Sequence, residues 1–85
     1  MTTEEKKATY QILREGYYSD YTIINRNTSY CPYVVCWGFD KATYSWAQGH
    51  YHNTFDDALL ALYEQEKKGI EQCIEAIEER QELGE

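Results

Sequence analysis

The sequence predicts a two-layer α+β domain, a three-stranded antiparallel sheet with an N-terminal helix and a long C-terminal helix in the order α-β-β-β-α. Three observations carry this. Residues 33–49, reading Y-V-V-C-W-G-F-D-K-A-T-Y-S-W-A-Q-G, alternate with period two on both sides of a turn, which is the pattern of a β-hairpin. Phe55, Leu59, Leu62 and Tyr63 recur at helical spacing, and the stripe resumes as Ile70, Cys73, Ile74 and Ile77. Thr2 with Glu5 three residues on makes a capping box at the other end of the chain. The 85 residues form one domain (residues 1–85), and so small a core leaves little room for an internal cavity, so function is expected on the outer surface.

In chain order, the first helix is expected over residues 3–15, with Ala8, Ile12 and Leu13 at helical spacing and Gly16 as the left-handed residue that ends it. Tyr17 to Asp20 turn the chain, and Y-T-I-I-N-R then has the β-branched, aromatic content of a strand at residues 20–26. Asn27 to Ser29 is polar and turn-like, and Pro32, with no N–H to donate, suits the first residue of a strand. In the hairpin, Asp40, Lys41, Ala42 and Thr43 form the loop. That choice sets Phe39 opposite Tyr44, Trp37 opposite Trp46, Val35 opposite Gln48 and Tyr33 opposite His50, all on one bulky face. The other face carries only Val34, Cys36, Gly38, Ser45, Ala47 and Gly49, small enough for a helix to approach. Thr54 with Asp57 opens the last helix, expected from 55 to 82 and passing through Gly69, because a helix-interior glycine costs only ~1 kcal/mol relative to alanine. Lys67-Lys68-Gly69 also has the form of a helix end, the alternative reading. An uninterrupted helix would be ~40 Å long, about twice the length of a strand, so its C-terminal part must overhang the sheet, fold back or meet another subunit.

Two constellations are candidates for a binding surface. The first is the aromatic face of the hairpin, with Trp37, Tyr44 and Trp46 as anchors of a kind that dominates interface hot spots, unless that face is itself the core. The second is an acid ladder. Glu64, Glu71, Glu75, Glu78, Glu82 and Glu85 are separated by 7, 4, 3, 4 and 3 residues, which keeps them on one helical stripe with neighbours ~6 Å apart, a spacing that can imitate a phosphate backbone. The bland reading is a solvated helix face. The charge is nevertheless polarised: from residue 64 onward, eight acids against three bases leave −5 of the total −7. A chain of this charge repels nucleic acid and anionic lipid, so neither is expected as a direct partner, and a basic protein surface is the natural counterpart.

Metal and catalytic signals are thin. In the expected register Cys31 lies opposite His52 and beside His50, with Asp56 or Asp57 near enough to complete a zinc set, but no C-x-x-C spacing supports it and no metal or cofactor is expected. No nucleophile, base and orienting group occur at a recognisable spacing, so no catalytic residues are assigned and the protein is read as a non-enzyme. Cys36 and Cys73 are expected as small core residues. No apolar run follows M-T-T-E-E-K-K and no stretch of about 18 apolar residues occurs, so neither export signal nor membrane span is expected. That implies a cytoplasmic setting with three reduced thiols, in which Asn27-Thr28-Ser29 is an unused glycosylation sequon.

Tyr33-Val34-Val35, Trp37, Trp46-Ala47-Gln48-Gly49-His50-Tyr51 and Asp57-Ala58-Leu59 together resemble the cassette of small α/β proteins carried by phages and integrative elements of bacteria. The resemblance spans residues 33–63, about half the chain. Size and acidity are similar to those of the anti-CRISPR and anti-restriction proteins found among them, which as a class occupy the nucleic-acid-reading surface of a defence nuclease. Those proteins share a strategy and no motif, so no functional residues carry over. What the resemblance implies is an inhibitor that binds a basic, nucleic-acid-binding protein such as a Cas nuclease. The alternative is a homodimeric structural or adaptor module that pairs through Ile70, Ile74 and Ile77 of the C-terminal helix.

Overall fold

Ile23, Ile24, Val34, Val35 and Cys36 are almost wholly buried. They are neighbours in sequence on two strands, and neighbours on a strand point to opposite faces, so both faces of the sheet centre are covered. A computed structural model describes the backbone of residues 1–84 and the side chains of residues 1–82. It contains α1 (Thr3–Thr9), β1 (Gln11–Glu15), β2 (Tyr21–Asn25), β3 (Tyr33–Trp37), β4 (Gln48–His52) and α2 (Phe55–Gly84). The strands form one antiparallel sheet in the order β1-β2-β3-β4. α2 lies over one face, packing Ala58 and Leu62 onto Ile23 and Val35, with Leu13, Tyr21, Tyr33 and Phe55 around them. The opposite face, Ile24, Val34 and Cys36, is covered by Tyr10, Ile12, Phe39 and Trp46.

The sheet has four strands where the sequence reading has three, and the fourth comes out of the expected first helix. The capping box forms as expected: Glu5 N–H donates to Thr2 Oγ1 and Thr2 N–H to Glu5 Oε1, and these bonds from Thr2 hold the Glu5 carboxyl below its ordinary pKa. The helix then stops at Thr9, and Tyr10 is already extended (φ −86°, ψ 142°). Ile12 packs on the Cys36 side of the sheet and Leu13 on the Val35 side. Adjacent residues reach opposite faces only from a strand; on a helix they would lie about 100° apart and share a face. Pairing with β1 also satisfies the outer backbone edge of β2, three of whose five residues are buried.

The hairpin forms with its register moved by two residues. Trp37 pairs with Gln48, Val35 with His50 and Tyr33 with His52, and a separate bridge joins Asp40 to Ser45. Asp40 decides the tip: its carboxylate accepts from Ala42 N–H at 2.8 Å and its carbonyl from Tyr44 N–H at 2.7 Å, which places Tyr44 in the left-handed region (φ 53°). A two-residue shift leaves side chains on their faces within the ladder. Beyond it, Gly38 at φ 70° kinks the ribbon and swings Phe39 and Trp46 to the face opposite α2. The expected single face holding Trp37, Tyr44 and Trp46 together is therefore not formed.

α2 passes through Gly69 as one helix and ends at Gly84, two residues beyond the expectation. The glycine is needed for packing. A Cβ there would stand 1.9 Å from the carbonyl oxygen of Tyr18, so the β1–β2 loop crosses the helix where a side chain is missing. One turn earlier, Glu66 accepts hydrogen bonds from the backbone N–H groups of Tyr17 (2.6 Å) and Tyr18 (2.8 Å), fastening that loop to the helix. No helix is long and apolar enough to cross a membrane among the described residues.

Candidate functional site: the overhanging acidic helix

α2 starts beside Tyr33, whose ring lies 5.9 Å from that of Phe55, and leaves the sheet past Tyr18 at Gly69. From Ile70 to Glu82 every residue of the helix is exposed. At 1.5 Å per residue the part beyond Gly69 extends ~22 Å past its last support, which accounts for a molecule measuring 54 × 26 × 16 Å. The helix does not fold back; it overhangs the sheet.

The ladder residues Glu64, Glu71, Glu75, Glu78 and Glu82 are all exposed. At 100° per residue they fall within an arc of about 60°, turned away from Ala58 and Leu62, although Glu64 also borders a hollow shared with His50 and His52 of β4. Glu85 lies outside the described residues. Among the described residues the only ion pair is Lys41 with Glu15 at 2.8 Å, which includes no ladder residue, and the hydrogen bond to Glu15 raises the Lys41 pKa. No ladder carboxylate forms an ion pair among the described residues, although Lys67 and Lys68 lie one turn from Glu64 and Glu71, and like charges at i,i+4 weaken the helix.

The aromatic candidates separate. Trp37, 43% exposed, closes β3 on the same side of the sheet as α2. It lines a hollow of about 340 Å³ in the corner where the helix leaves the sheet, together with Tyr18, Asp20, Gln65, Lys68 and Gln72. Tyr44 and Trp46 belong to the opposite side. Trp46 is half-buried against Tyr10 (6.0 Å between ring centres) and Phe39 (6.3 Å), where it acts as a lid on the second core, and Tyr44 meets Phe39 edge-on at 5.3 Å. Beside them Lys6 and Arg26 face a shallow hollow of about 250 Å³, with the Arg26 guanidinium 4.7 Å above the Tyr51 ring. This cationic pocket in an acidic protein was not visible in the sequence, because its residues come from four separate segments.

The thiols and imidazoles do not assemble. Cys31, expected opposite His52, sits before β3 in the left-handed region (φ 43°), where its backbone N–H (3.2 Å) and Sγ (3.3 Å) both bond Asn53 Oδ1. Among the described residues no three His, Cys, Asp or Glu side chains converge as metal ligands. Burial pushes the Cys36 thiol up to about 12, so it carries no thiolate at neutral pH. Cys73, expected in the core, is exposed.

Sequence reasoning also merged two apolar stripes of α2 that the fold keeps apart. Ala58 and Leu62 face the sheet; Leu60, Tyr63, Ile70, Ile74 and Ile77 are 40–66% exposed on a line rotated by roughly 100°. The signal was present as a seven-residue repeat at 63-70-77, with Leu60 and Ile74 in the neighbouring heptad position that Lys67 interrupts. Comparison with protein families, with curated proteins and with solved structures finds no match to this chain.

Proposed function

We propose that this is a non-enzymatic binding protein whose overhanging C-terminal helix occupies the cationic, nucleic-acid-binding groove of a partner protein and inhibits it. A host defence nuclease, CRISPR-Cas or restriction, is the partner class to which the sequence resemblance points. The observation that carries the reading is that Glu71, Glu75, Glu78 and Glu82 stand in solvent on a helical arm clear of the body and, among the described residues, form no ion pair. An arm of this kind reaches into a groove that a compact acidic face would only cover. Its carboxylates attract a cationic surface over about a Debye length, ~8 Å at physiological salt, and so favour fast, salt-sensitive association. Trp37, in the corner between the sheet and α2 rather than on the ladder's side, is the aromatic candidate nearest the arm; Tyr44 and Trp46 lie on the other face of the sheet against Phe39. The exposure of Ile70, Ile74 and Ile77 favours a second reading, a module that pairs through α2.

The test is competition. The protein immobilised through its N-terminus should capture from an extract of its host a nucleic-acid-binding protein that free duplex DNA displaces. A captured partner that keeps its hold in excess DNA, at low and at moderate salt, would overturn the mimicry.

A further inference from the structure

The exposed apolar line on α2 repeats as a coiled-coil seam, and the charges beside it decide what can lie there. Leu60, Lys67, Ile74 and Gln81 occupy one position of the heptad and Tyr63, Ile70 and Ile77 the position three residues on. Glu64, Glu71 and Glu78 then line one flank, and Glu66, Cys73 and Arg80 the other.

A second copy of the chain fits this seam poorly in either direction. Centred on the isoleucines and antiparallel, Glu71 would face its own counterpart and Glu64 would face Glu78 twice, while on the other flank Glu66, whose carboxylate already accepts from Tyr17 and Tyr18, would face Arg80 twice, so one side is a ladder of like charges and the other is only partly able to offset it. Parallel and in register, Lys67 would meet Lys67 inside the seam and Glu66 would meet Glu71. Flanking charges of this kind set partner choice in coiled coils by excluding the wrong pairing. Glu66 is also committed to the β1–β2 loop, and Arg14 donates to the Tyr63 hydroxyl, so the body side of the seam is already organised and cannot rearrange to relieve the repulsion.

We infer that the seam is a docking surface for an amphipathic helix of a partner protein that carries lysine or arginine beside its apolar stripe. Such a helix buries Ile70, Ile74 and Ile77 and brings cations against Glu64, Glu71 and Glu78 in the same contact. The inference rests on the reading of α2 as the partner-binding element and adds that the basic partner offers a helix, recognised by apolar anchors as much as by charge.

The probe is a three-heptad synthetic helix with leucine along its seam and lysine on both flanks, together with a control peptide in which glutamate replaces the lysines. The lysine peptide should be largely unfolded alone and gain helical circular dichroism on mixing with the protein, which should remain monomeric by light scattering throughout. Ile70→Ser with Ile74→Ser should weaken the peptide at least tenfold with the fold intact, since both side chains are already exposed, and the glutamate peptide should not bind. A stable dimer at low salt, dispersed by Ile74→Glu, would overturn the inference in favour of a second copy. Peptide binding that ignores the serine substitutions would also overturn it while leaving the charge ladder as the binding element. Absence of peptide binding would reject the helical partner, with DNA-displaceable capture from the extract still judging the broader reading on its own.

Discussion

At the scale of single residues, two positions show how burial and close approach set what the chain tolerates. Cys36 is sealed between the sheet and its aromatic cover, and burial raises its thiol to about 12 from an ordinary value of 9.0. The neutral thiol is therefore favoured in the folded state. Its contribution to stability is complete below pH 9 and is lost as pH rises from 9 towards 12, where the unfolded chain ionises first. Wild-type protein should lose stability over that range more steeply than a Cys36→Val variant, as thermal midpoints at pH 8, 9 and 10 would show, and at pH 8 a thiol reagent should modify exposed Cys73 far faster than Cys36. Gly69 gives a test of sign. On an open helix Gly→Ala stabilises by about 1 kcal/mol, but here the added methyl meets the Tyr18 carbonyl, and forced overpacking costs about 1–3 kcal/mol. Gly69→Ala should therefore fail to stabilise and cost up to about 2 kcal/mol in urea unfolding. Stabilisation instead would mean the β1–β2 loop does not sit on the helix.

At the scale of elements, the sequence was legible where one local pattern had one solution. The Thr2–Glu5 box starts a helix, Y-T-I-I-N makes a strand, and Phe55 onward makes a helix whose length forces an overhang. It was misleading where two patterns competed over the same residues. Ala8, Ile12 and Leu13 suit a helix by spacing, and only the need of β2 for a second neighbour turns the last two into β1. Both hairpin registers conserve the faces of β3 and β4, and the choice rests on hydrogen bonds of Asp40 that hydrophobic patterning does not contain. The candidate site was half legible: the ladder could be counted, whereas the parting of Trp37 from Trp46 depends on the kink at Gly38. The two halves of α2 should also differ in dynamics. Helical segments shorter than about 15 residues are marginal without tertiary support, so amides of residues 72–82 should exchange at least about 100-fold faster than those of residues 58–66, whose side chains form the core. Equal protection by hydrogen-exchange mass spectrometry would show that the arm is held by something, a second copy first of all.

At the scale of the whole molecule, shape and charge point the same way. A sheet of five-residue strands supports a 30-residue helix more than twice their length, and −5 of the net −7 is carried from residue 64 onward, so the molecule is a compact body with an acidic arm. The central claim is that the position of these charges, beyond their number, makes the binding surface. The most direct measurement is the salt dependence of affinity for the captured partner in two matched variants. Glu71→Lys, Glu75→Lys and Glu78→Lys together change the charge from −7 to −1 on the arm, and the same reversals at Glu4, Glu5 and Glu15 change it equally on the body. At about 1 kcal/mol per reversed residue, the arm variant should bind about 100-fold more weakly or worse, with wild-type affinity falling steeply as salt rises and the body variant close to wild type. Equal losses in the two variants, or binding indifferent to both salt and the arm reversals, would contradict the account.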